Sequence, residues 1–186
     1  IPNMTVASPL DERDLRNLMF TAQTGDHGPF AIRYPRGKCE HADWQTPMSE
    51  IPIGKGQLLK EGKDTAVLTL GPIGNIAAEA VAEAEKKGIS VCHYDMRFLK
   101  PIDTGILQDV AARFSHVVTV EDGTILGGLG TAVAEWFNEN GHTTTVHRIG
   151  IPDRFIKQGS VGQLYEQCGM DKEHIKQAIL DITNKA

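Results

Sequence analysis

The sequence predicts an α/β fold built on a mostly parallel sheet with helices on its faces. Segments rich in β-branched and apolar residues alternate with segments of helical periodicity, the pattern of repeated β-α units with right-handed crossovers. The run from Thr65 to Leu70 is largely apolar, as in a strand buried on both faces. With 186 residues, 40% of them hydrophobic, the chain suffices for one domain, or for one domain and a fragment of another.

The N-terminal segment predicts a β-α-β unit. Its strands are expected at Thr5–Ala7 and Phe30–Tyr34, where β-prone residues cluster. The helix between them should begin with Ser8 as N-cap and Asp11 closing a capping box, and should end at Gly25. Its apolar spacing predicts that the buried positions are Leu15, Leu18, Met19 and Ala22.

A stretch without periodicity separates this unit from the rest of the chain. Its polar and proline-rich composition predicts an interdomain linker over residues 40–52, between a first domain at 1–39 and a second at 53–186. Trp44, inside the linker, is a candidate to dock on a neighbouring surface.

The second domain predicts a longer alternation of strands and helices. After the strand at 65–70, strands are expected at Ser90–Met96, His116–Val120 and Thr143–Ile149. Helices should begin after Pro72, at the N-caps Asp103, Ser160 and Asp171, and at a glycine turn at 127–130. The helix positions expected to face the core are Ile73, Ile76, Ala77, Ala80, Val81, Ala84, Leu107, Val110, Ala111, Phe114, Ala132, Val133, Trp136, Phe137, Ile175, Ala178, Ile179 and Ile182.

Composition argues against several classes of partner and site. A formal net charge of −5, without a Lys/Arg run, argues against nucleic acid. The three cysteines, Cys39, Cys92 and Cys168, are widely spaced, so neither a disulfide framework nor a zinc site is expected. A reducing compartment, the cytoplasm, is the expected location. No segment has the length and apolarity of a membrane span. Because the chain opens at Ile1-Pro2 almost directly into a strand, we expect further sequence upstream.

Two arginines in Arg33-Tyr34-Pro35-Arg36-Gly37 are the candidate binding residues. They fall at the carboxyl end of a strand, where ligands bind in open α/β sheets, and a guanidinium can donate two charge-assisted hydrogen bonds to phosphate. Residues i and i+3 of a continuous strand face opposite sides, so both converge only if Pro35 ends the strand. Arg36, in the loop beyond, is then the better candidate. The alternative is that both are ordinary surface or interface arginines.

Two glycine-containing segments look like functional turns, but their spacing favours structural roles. Gly127-Gly128-Leu129-Gly130 leads into a helix, yet Val133 stands where a dinucleotide-binding turn has its third glycine. Glu121 also places negative charge nearby, so close helix-sheet packing is the preferred interpretation. In Gly159-Ser160-Val161-Gly162, the serine is expected to cap a helix with Gln163 rather than to act as a nucleophile.

The remaining charged groups predict neither a metal site nor a catalytic residue. The seven histidines form no H-x-x-x-H or H-E-x-x-H pattern, so no metal ligand is assigned. Between Asp95 and Asp103, Arg97 and Lys100 could belong to a site. Ion pairs that fix a strand-to-helix loop, or a subunit contact, are the commoner explanation.

Several segments together resemble the 1-deoxy-D-xylulose-5-phosphate synthase family of transketolase-like enzymes. The resemblance covers essentially the whole chain, whereas transketolases and the β subunits of two-oxoacid dehydrogenases share only a looser form of 97–103. The segments that carry it are Ala31–Gly37, Ile53–Gly56, Asp95–Asp103, Val120–Gly123, Gly127–Gly130 and Gly150–Ile156.

The resemblance implies the C-terminal part of a three-domain transferase that condenses pyruvate with glyceraldehyde 3-phosphate and releases carbon dioxide, on the route to isoprenoids, thiamine and pyridoxal. Residues 1–39 would end the pyrimidine-binding domain, and 53–186 would be the transketolase C-terminal domain. Thiamine diphosphate and Mg²⁺ would bind the missing domains of a homodimer, which leaves this fragment inactive and without cofactor. The family's phosphate-binding arginine maps best onto Arg36, with Arg33 the other candidate.

Other functions stay open from the sequence alone. One is a free-standing dimerisation or regulatory module, and another is a part like the β subunit of a two-oxoacid dehydrogenase. A nucleotide-binding protein is a third. An upstream thiamine-binding domain in the same reading frame would favour the transferase over these alternatives.

Overall fold

The computed structural model describes residues 1–37 and 45–184. The strands are β1 (Thr5–Ala7), β2 (Phe30–Ile32), β3 (Gln57–Lys60), β4 (Thr65–Leu70), β5 (Val91–Asp95), β6 (Phe98–Lys100), β7 (His116–Thr124) and β8 (Thr145–Ile151). The helices are α1 (Glu12–Gln23), α2 (Ile73–Glu85), α3 (Thr104–Arg113), α4 (Leu129–Glu139), α5 (Val161–Cys168) and α6 (Lys172–Thr183). One sheet has the order β2-β1-β6, and the other has the order β3-β5-β4-β7-β8.

The larger sheet confirms the predicted helix-covered, mostly parallel architecture. Strands β5, β4, β7 and β8 are parallel, and only the edge strand β3 is antiparallel to its neighbour. Alternate residues of β4 face opposite layers, since Val67 packs with α2 and α6 while Ala66 and Leu68 pack with α3 and α4. Both faces are therefore buried, which explains why β4 reads as a nearly continuous apolar run.

The predicted helix starts of the second unit are confirmed. Asp103 and Asp171 accept hydrogen bonds from backbone N–H groups of the first turns of α3 and α6. Ser160 forms the expected capping box with Gln163 at α5. Several strand boundaries differ by one to four residues: β5 is one residue shorter at each end, β8 begins at Thr145, and β7 and β8 continue to Thr124 and Ile151, where they still pair. No helix in the described ranges is both long and apolar enough to cross a bilayer.

The predicted start of α1 is wrong, and its predicted inner face is right only at Leu18. Asp11, not Ser8, is its N-cap and accepts a hydrogen bond from Asp14 N. The buried positions are Asp14, Asn17, Leu18 and Thr21, whereas Met19 is 51% exposed. An apolar-periodicity rule selects the wrong face here because the surface that α1 meets presents backbone N–H groups and an arginine.

The described part of the predicted linker lies along α1. Thr46 O accepts a hydrogen bond from Arg16, Ser49 N donates to Asn17 Oδ1, and Ile51 N donates to Thr21 Oγ1. Ile51 is itself buried, so this segment packs on the first unit and is not a free linker between the two units. Cys39 and Trp44 lie outside the described residues, and the domain boundaries at 39 and 52 stay predictions.

The expectation that only a loop joins the strand ending near Met96 to the helix capped by Asp103 is wrong. Residues Phe98–Lys100 form β6, which pairs antiparallel with β1 and completes the sheet of the first unit. Phe98 is fully buried beside Ala7, Leu18 and Ile51. The second unit thus contributes both a strand and a core side chain to the first.

Candidate functional site

A cleft of about 190 Å³ lies where the two sheets meet, at the carboxyl ends of β4 and β7. These strands are neighbours, but the chain leaves β4 towards β5 on one side and later reaches β7 on the other. Such a reversal of strand order is where open α/β sheets bind ligands, because the connections diverge and leave a crevice. The lining residues are Val6, Ala7, Ser8, Arg33, Leu70, Leu99, Glu121, Gly123, Thr124, Gly127 and Gly128.

Arg33 is the only basic residue among those that line this cleft. Its N–H donates to Ala7 O (2.8 Å), which continues the β1–β2 ladder by one residue. Its carbonyl accepts a hydrogen bond from Ser8 Oγ (3.0 Å), and its Nη2 donates to the same hydroxyl (3.4 Å). Ser8 therefore holds both the backbone and the side chain of Arg33.

Two glycines leave room for this arrangement. Gly71 follows β4 with φ +84°, and a methyl group there would lie 2.3 Å from Ser8 Oγ and 3.4 Å from Arg33 Nη2. A methyl group on Gly123 would lie 3.3 Å from Glu121 Oε2 and 3.9 Å from Arg33 Nη1. Bare backbone at Gly71 thus leaves room for the Ser8 hydroxyl, and at Gly123 it leaves room for the Glu121 carboxylate, whereas the distances to Arg33 are ordinary van der Waals contacts.

Glu121 caps the glycine turn from within the cleft. Its Oε2 accepts a hydrogen bond from Leu129 N (2.9 Å) and its Oε1 one from Gly130 N (3.0 Å), so the carboxylate sits at the positive end of α4. A methyl group on Gly128 would lie 2.1 Å from Oε2. The packing interpretation of this turn is confirmed, and the position that a nucleotide phosphate would take is filled by the chain's own anion.

A second carboxylate lies beside the first. Asp122 Oδ2 accepts a hydrogen bond from the hydroxyl of Tyr165 on α5 (2.9 Å). Burial and the negative charge of Asp122 raise the pKa of Tyr165, while the charge of Arg33 acts in the opposite direction. Arg33 is thus close enough to this pair to influence the pKa of Tyr165.

Arg36 lies apart from this arrangement. Strand β2 ends at Ile32, so Pro35 and both arginines follow the strand, as required for the two side chains to converge. Arg36, like Arg33, is exposed, but unlike Arg33 it does not line the cleft. The fold brings Arg33 but not Arg36 to the strand ends, and phosphate binding by either residue stays a prediction.

The segment between β5 and α3 is held by ion pairs and hydrogen bonds, as the structural interpretation expected. Arg97 donates to both carboxylate oxygens of Asp14 (3.0 and 3.2 Å) and to Gln57 Oε1 (2.7 Å). Asp103 caps α3 and also accepts from Gly56 N (3.0 Å). Burial raises the pKa of Asp95 to about 7, although hydrogen bonds from Gln57 and from the backbone of Arg97 oppose this.

The buried histidine of β5 has the environment of a core residue. His93 is 1% exposed, bonds to Thr69 Oγ1 (3.1 Å), and its pKa is lowered to about 4 by burial. Across residues 1–37 and 45–184, no three His, Cys, Asp or Glu side chains are placed to hold a metal ion.

Comparison with known proteins places this chain in a family. A family model described as "Transketolase, C-terminal domain" matches residues 54–175, about two-thirds of the chain. The chain belongs to the transketolase C-terminal domain family. Relatives named 1-deoxy-D-xylulose-5-phosphate synthase are 56% identical in Bacteroides fragilis (96% of this chain) and 54% identical in Bacteroides thetaiotaomicron (97% of this chain). The chain spans about 28% of the length of each of these two relatives.

A solved structure confirms the α/β fold of this transketolase C-terminal domain and its N-terminal extension. The protein is described as "Split gene transketolase, inactive beta4 tetramer" and is similar with a TM-score of 0.83 and 32% identity. The match covers 99% of this chain and 58% of that one. It therefore includes the β-α-β unit that precedes the family match.

Sequence reasoning missed two parts of the site within this family fold. Glu121 was seen only as charge repelling phosphate, although an acidic side chain at a strand end just before a glycine turn can cap the following helix. Ser8 was assigned to α1, because serine before proline is a common helix start. No local signal points to its real partner Arg33, which lies 25 residues along the chain.

Proposed function

We propose that this chain is the C-terminal part of a 1-deoxy-D-xylulose-5-phosphate synthase, which condenses pyruvate with glyceraldehyde 3-phosphate and releases carbon dioxide. The observation that carries the proposal is the 54–56% identity, over nearly all of this chain, to two relatives with that name. Because the chain spans only about 28% of those relatives, the reaction is assigned to a longer protein. The resemblance to the family further implies that this protein is a cytoplasmic homodimer.

Among the described residues, neither the glycine turn at α4 nor any group of carboxylates fits thiamine diphosphate and Mg²⁺. A diphosphate needs a free helix N-terminus or a basic cradle, and Mg²⁺ needs a group of oxygen ligands. At α4 the helix N-terminus is filled by Glu121, and the described residues offer no set of metal ligands. We therefore assign the cofactor to the rest of the longer protein and no catalytic residue to this chain.

Within the synthase, one of the two arginines would bind the phosphate of the phosphorylated aldehyde. The resemblance to the family favours Arg36. The cleft favours Arg33, whose guanidinium borders the strand ends and has donors beyond the one bonded to Ser8. Both arginines are exposed, so exposure does not decide between them.

Steady-state kinetics of the longer protein test this assignment. Replacing the binding arginine by alanine should raise KM for glyceraldehyde 3-phosphate by about ten- to a hundredfold and change KM for pyruvate by much less, since only one substrate carries phosphate. Arg36→Ala and Arg33→Ala are therefore compared, and the variant with the larger selective effect identifies the binding residue. Equal effects on both substrates for both variants would remove the phosphate role altogether.

A second candidate function, self-association, has its own support. The similar split-gene transketolase is described as an inactive β4 tetramer, and its structure covers 99% of this chain. We propose that the 186-residue chain alone also associates and is inactive. Size-exclusion chromatography with light scattering and an assay with both substrates, thiamine diphosphate and Mg²⁺ test this. A monomer would contradict the association, and turnover by the isolated chain would contradict the inactivity.

A further inference from the structure

Two buried carboxylates, one from each unit, lie within 4.0 Å of the Arg97 guanidinium. Asp14 lies on α1 and Asp95 ends β5, and their side chains are only 11% and 0% exposed. The guanidinium donates to both oxygens of Asp14 (3.0 and 3.2 Å), whereas its Nε lies 4.0 Å from Asp95 Oδ2. A single guanidinium balances one carboxylate, so the group carries an excess negative charge when both carboxyls are ionised.

Gln57 and the Arg97 backbone join the two carboxylates into one network. Gln57 accepts a hydrogen bond from Arg97 Nη2 (2.7 Å) and donates one to Asp95 Oδ2 (3.1 Å). The backbone N–H of Arg97 donates to Asp95 Oδ1 (3.2 Å). The φ of Arg97, +54°, lies in the left-handed region, which is unfavourable for a residue with a β-carbon and persists where surrounding contacts enforce it. These contacts come from both units.

Three uncharged side chains also face Asp95. Gln57 and Thr69 lie opposite it on β3 and β4, and His93 precedes it by two residues on the same face of β5. Burial lowers the pKa of His93 to about 4, so this histidine is neutral near pH 7. Among the described residues, the charges that act on Asp95 are therefore those of Asp14 and of the guanidinium.

The proton on Asp95 changes the charge balance of this network. Burial raises the pKa of Asp95 to about 7 and the charge of Asp14 contributes to the increase, while hydrogen bonds and the charge of Arg97 oppose it. Below this pH, Asp95 is neutral and Arg97 balances Asp14 across the boundary between the two units. Above it, two carboxylates compete for one guanidinium, and movement of Asp14 away from Asp95 relieves their repulsion.

We propose that Arg97 is a proton-controlled link between the two units: it binds Asp14 while Asp95 carries a proton and shifts to Asp95 once that proton is lost. Asp14 is then repelled, and the start of α1 loosens from the second unit. Ser8 N donates to Arg97 O (2.8 Å) across the same boundary, so the Ser8 amide reports the state of the link. The link does not depend on which reaction the longer protein catalyses.

The link should weaken as the pH rises towards 7. The closed link retains the proton of Asp95 up to about pH 7, whereas the open link, with Arg97 beside Asp95, releases it at a lower pH. The stability of the closed link is therefore complete below the lower value. It falls by up to about tenfold per pH unit between the two values and is constant above about pH 8.

Nuclear magnetic resonance of the 186-residue chain tests the sharing of Arg97 through the carboxyl carbon shifts. Asp95 should titrate with a midpoint of about 7 in the original chain. Asp14→Asn should lower this midpoint by about one pH unit or more, because it removes a repelling charge and frees Arg97 for Asp95. Arg97→Met should raise the midpoint, since no cation is left. An unchanged midpoint in Asp14→Asn would overturn the proposal, because burial alone would then set the charge of Asp95.

Hydrogen exchange of the Ser8 amide tests whether the link opens. After correction for intrinsic exchange, its protection should fall about ten- to a hundredfold between about pH 5 and about pH 8, and should stay constant in Asp95→Asn, which cannot ionise. Ser8 should also be less protected than the amides of β4, because its opening is local. Constant protection in the original chain, an equal fall in Asp95→Asn, or protection equal to that of β4 would each overturn the proposal.

The pair Asp109 and Arg113 provides matched controls. Arg113 donates to Asp109 (2.7 Å) on the surface of α3, so Asp109→Asn and Arg113→Met make the same charge changes outside the network. Both should leave the titration midpoint of Asp95 and the protection of Ser8 unchanged. Equal effects from these controls would show a general response to net charge, and the proposal would be wrong. Retained amide dispersion from β4 and α2 shows that each variant is folded.

Discussion

Helices α1 and α2 both follow a strand and cover a sheet, but they are held by different forces. The buried face of α2 carries Ile73, Gly74, Ala77, Ala80, Val81 and Ala84. That of α1 carries Asp14, Asn17, Leu18 and Thr21, three of which bond to groups outside the helix. One helix is fixed by close packing of small apolar side chains, and the other by directional bonds to the linker and the second unit.

The difference shows how the two units are joined. Apolar burial stabilises α2 within one unit, since its partners lie on α6 and on the strands of the same sheet. Hydrogen bonds position α1 across a boundary, where their geometry specifies one docked arrangement. We therefore expect substitutions on α2 to change mainly global stability, and substitutions on α1 to change mainly the junction.

The largest effect is expected from Ile73→Ala on α2. Ile73 is 1% exposed, so the change removes buried methyl groups and leaves a cavity, which should lower the free energy of unfolding by about 2–5 kcal/mol. Urea unfolding of the 186-residue chain measures this. Ile76→Ala, the same change at a partly buried position of the same helix, is the control. Equal losses at both positions would show that packing on this face is not what holds α2.

The next effect is a pH dependence centred on Asp95, where the polar junction meets the apolar core. Burial raises the pKa of Asp95 from an ordinary 3.8 to about 7, so between these values the folded chain binds a proton that the unfolded chain does not. Its contribution to stability is therefore complete below about pH 4 and is lost as the pH rises through 7. Asp95→Asn cannot ionise, so stability relative to the original chain should increase over this range.

The difference between the two unfolding curves isolates Asp95 from other titrating groups. His93, two residues earlier on β5, has its pKa lowered to about 4 by burial and so makes stability rise with pH between about 4 and 6.5. That contribution is common to both chains and cancels. A difference that stays constant from pH 4 to 8 would show that Asp95 is not held in its neutral form.

A smaller loss is expected from Thr21→Val on α1. The Thr21 hydroxyl donates to Asn17 O and accepts from Ile51 N, both at 2.8 Å in a buried environment. Valine has the same shape but leaves the N–H of Ile51 without its acceptor, which should cost about 1–2 kcal/mol. Thr24→Val is the control, because that hydroxyl only donates, to carbonyls of α1 itself. Similar losses in the free energy of unfolding for both variants would contradict the conclusion that hydrogen bonds to residues outside α1 hold this helix.

The same contrast explains what could be predicted from sequence. The face of α2 was found because its apolar residues repeat at helical spacing, and periodicity reports burial against an apolar surface. Most of the buried face of α1 was missed because it consists of polar side chains. Their partners, Ile51 and Arg97, are distant in sequence. Strand β6 was missed for a similar reason, since three residues become a strand only by pairing with β1.

The candidate site shows the same contrast between features that a local sequence pattern predicts and features that depend on distant residues. Arg33 was found as one of two arginines because it follows a strand, which is a local pattern. That Arg33 rather than Arg36 reaches the cleft depends on the course of the chain after β2 and on the hydrogen bonds of Ser8, which no local pattern contains. Local chemistry thus predicted the segment, and which of the two arginines binds a ligand stays a prediction.

The smallest effect is expected outside both helices, at Gly162 on α5. No residue of α5 is buried, and a methyl group on Gly162 meets nothing within 4 Å. Gly162→Ala should therefore stabilise the chain by about 0.5 kcal/mol, because alanine loses less backbone entropy than glycine in a helix. Gly88→Ala is the matched variant: its site is equally open, but its φ of +90° disfavours a β-carbon, so the sign should reverse. Urea midpoints that move in the same direction for both would mean that backbone conformation does not decide these two sites.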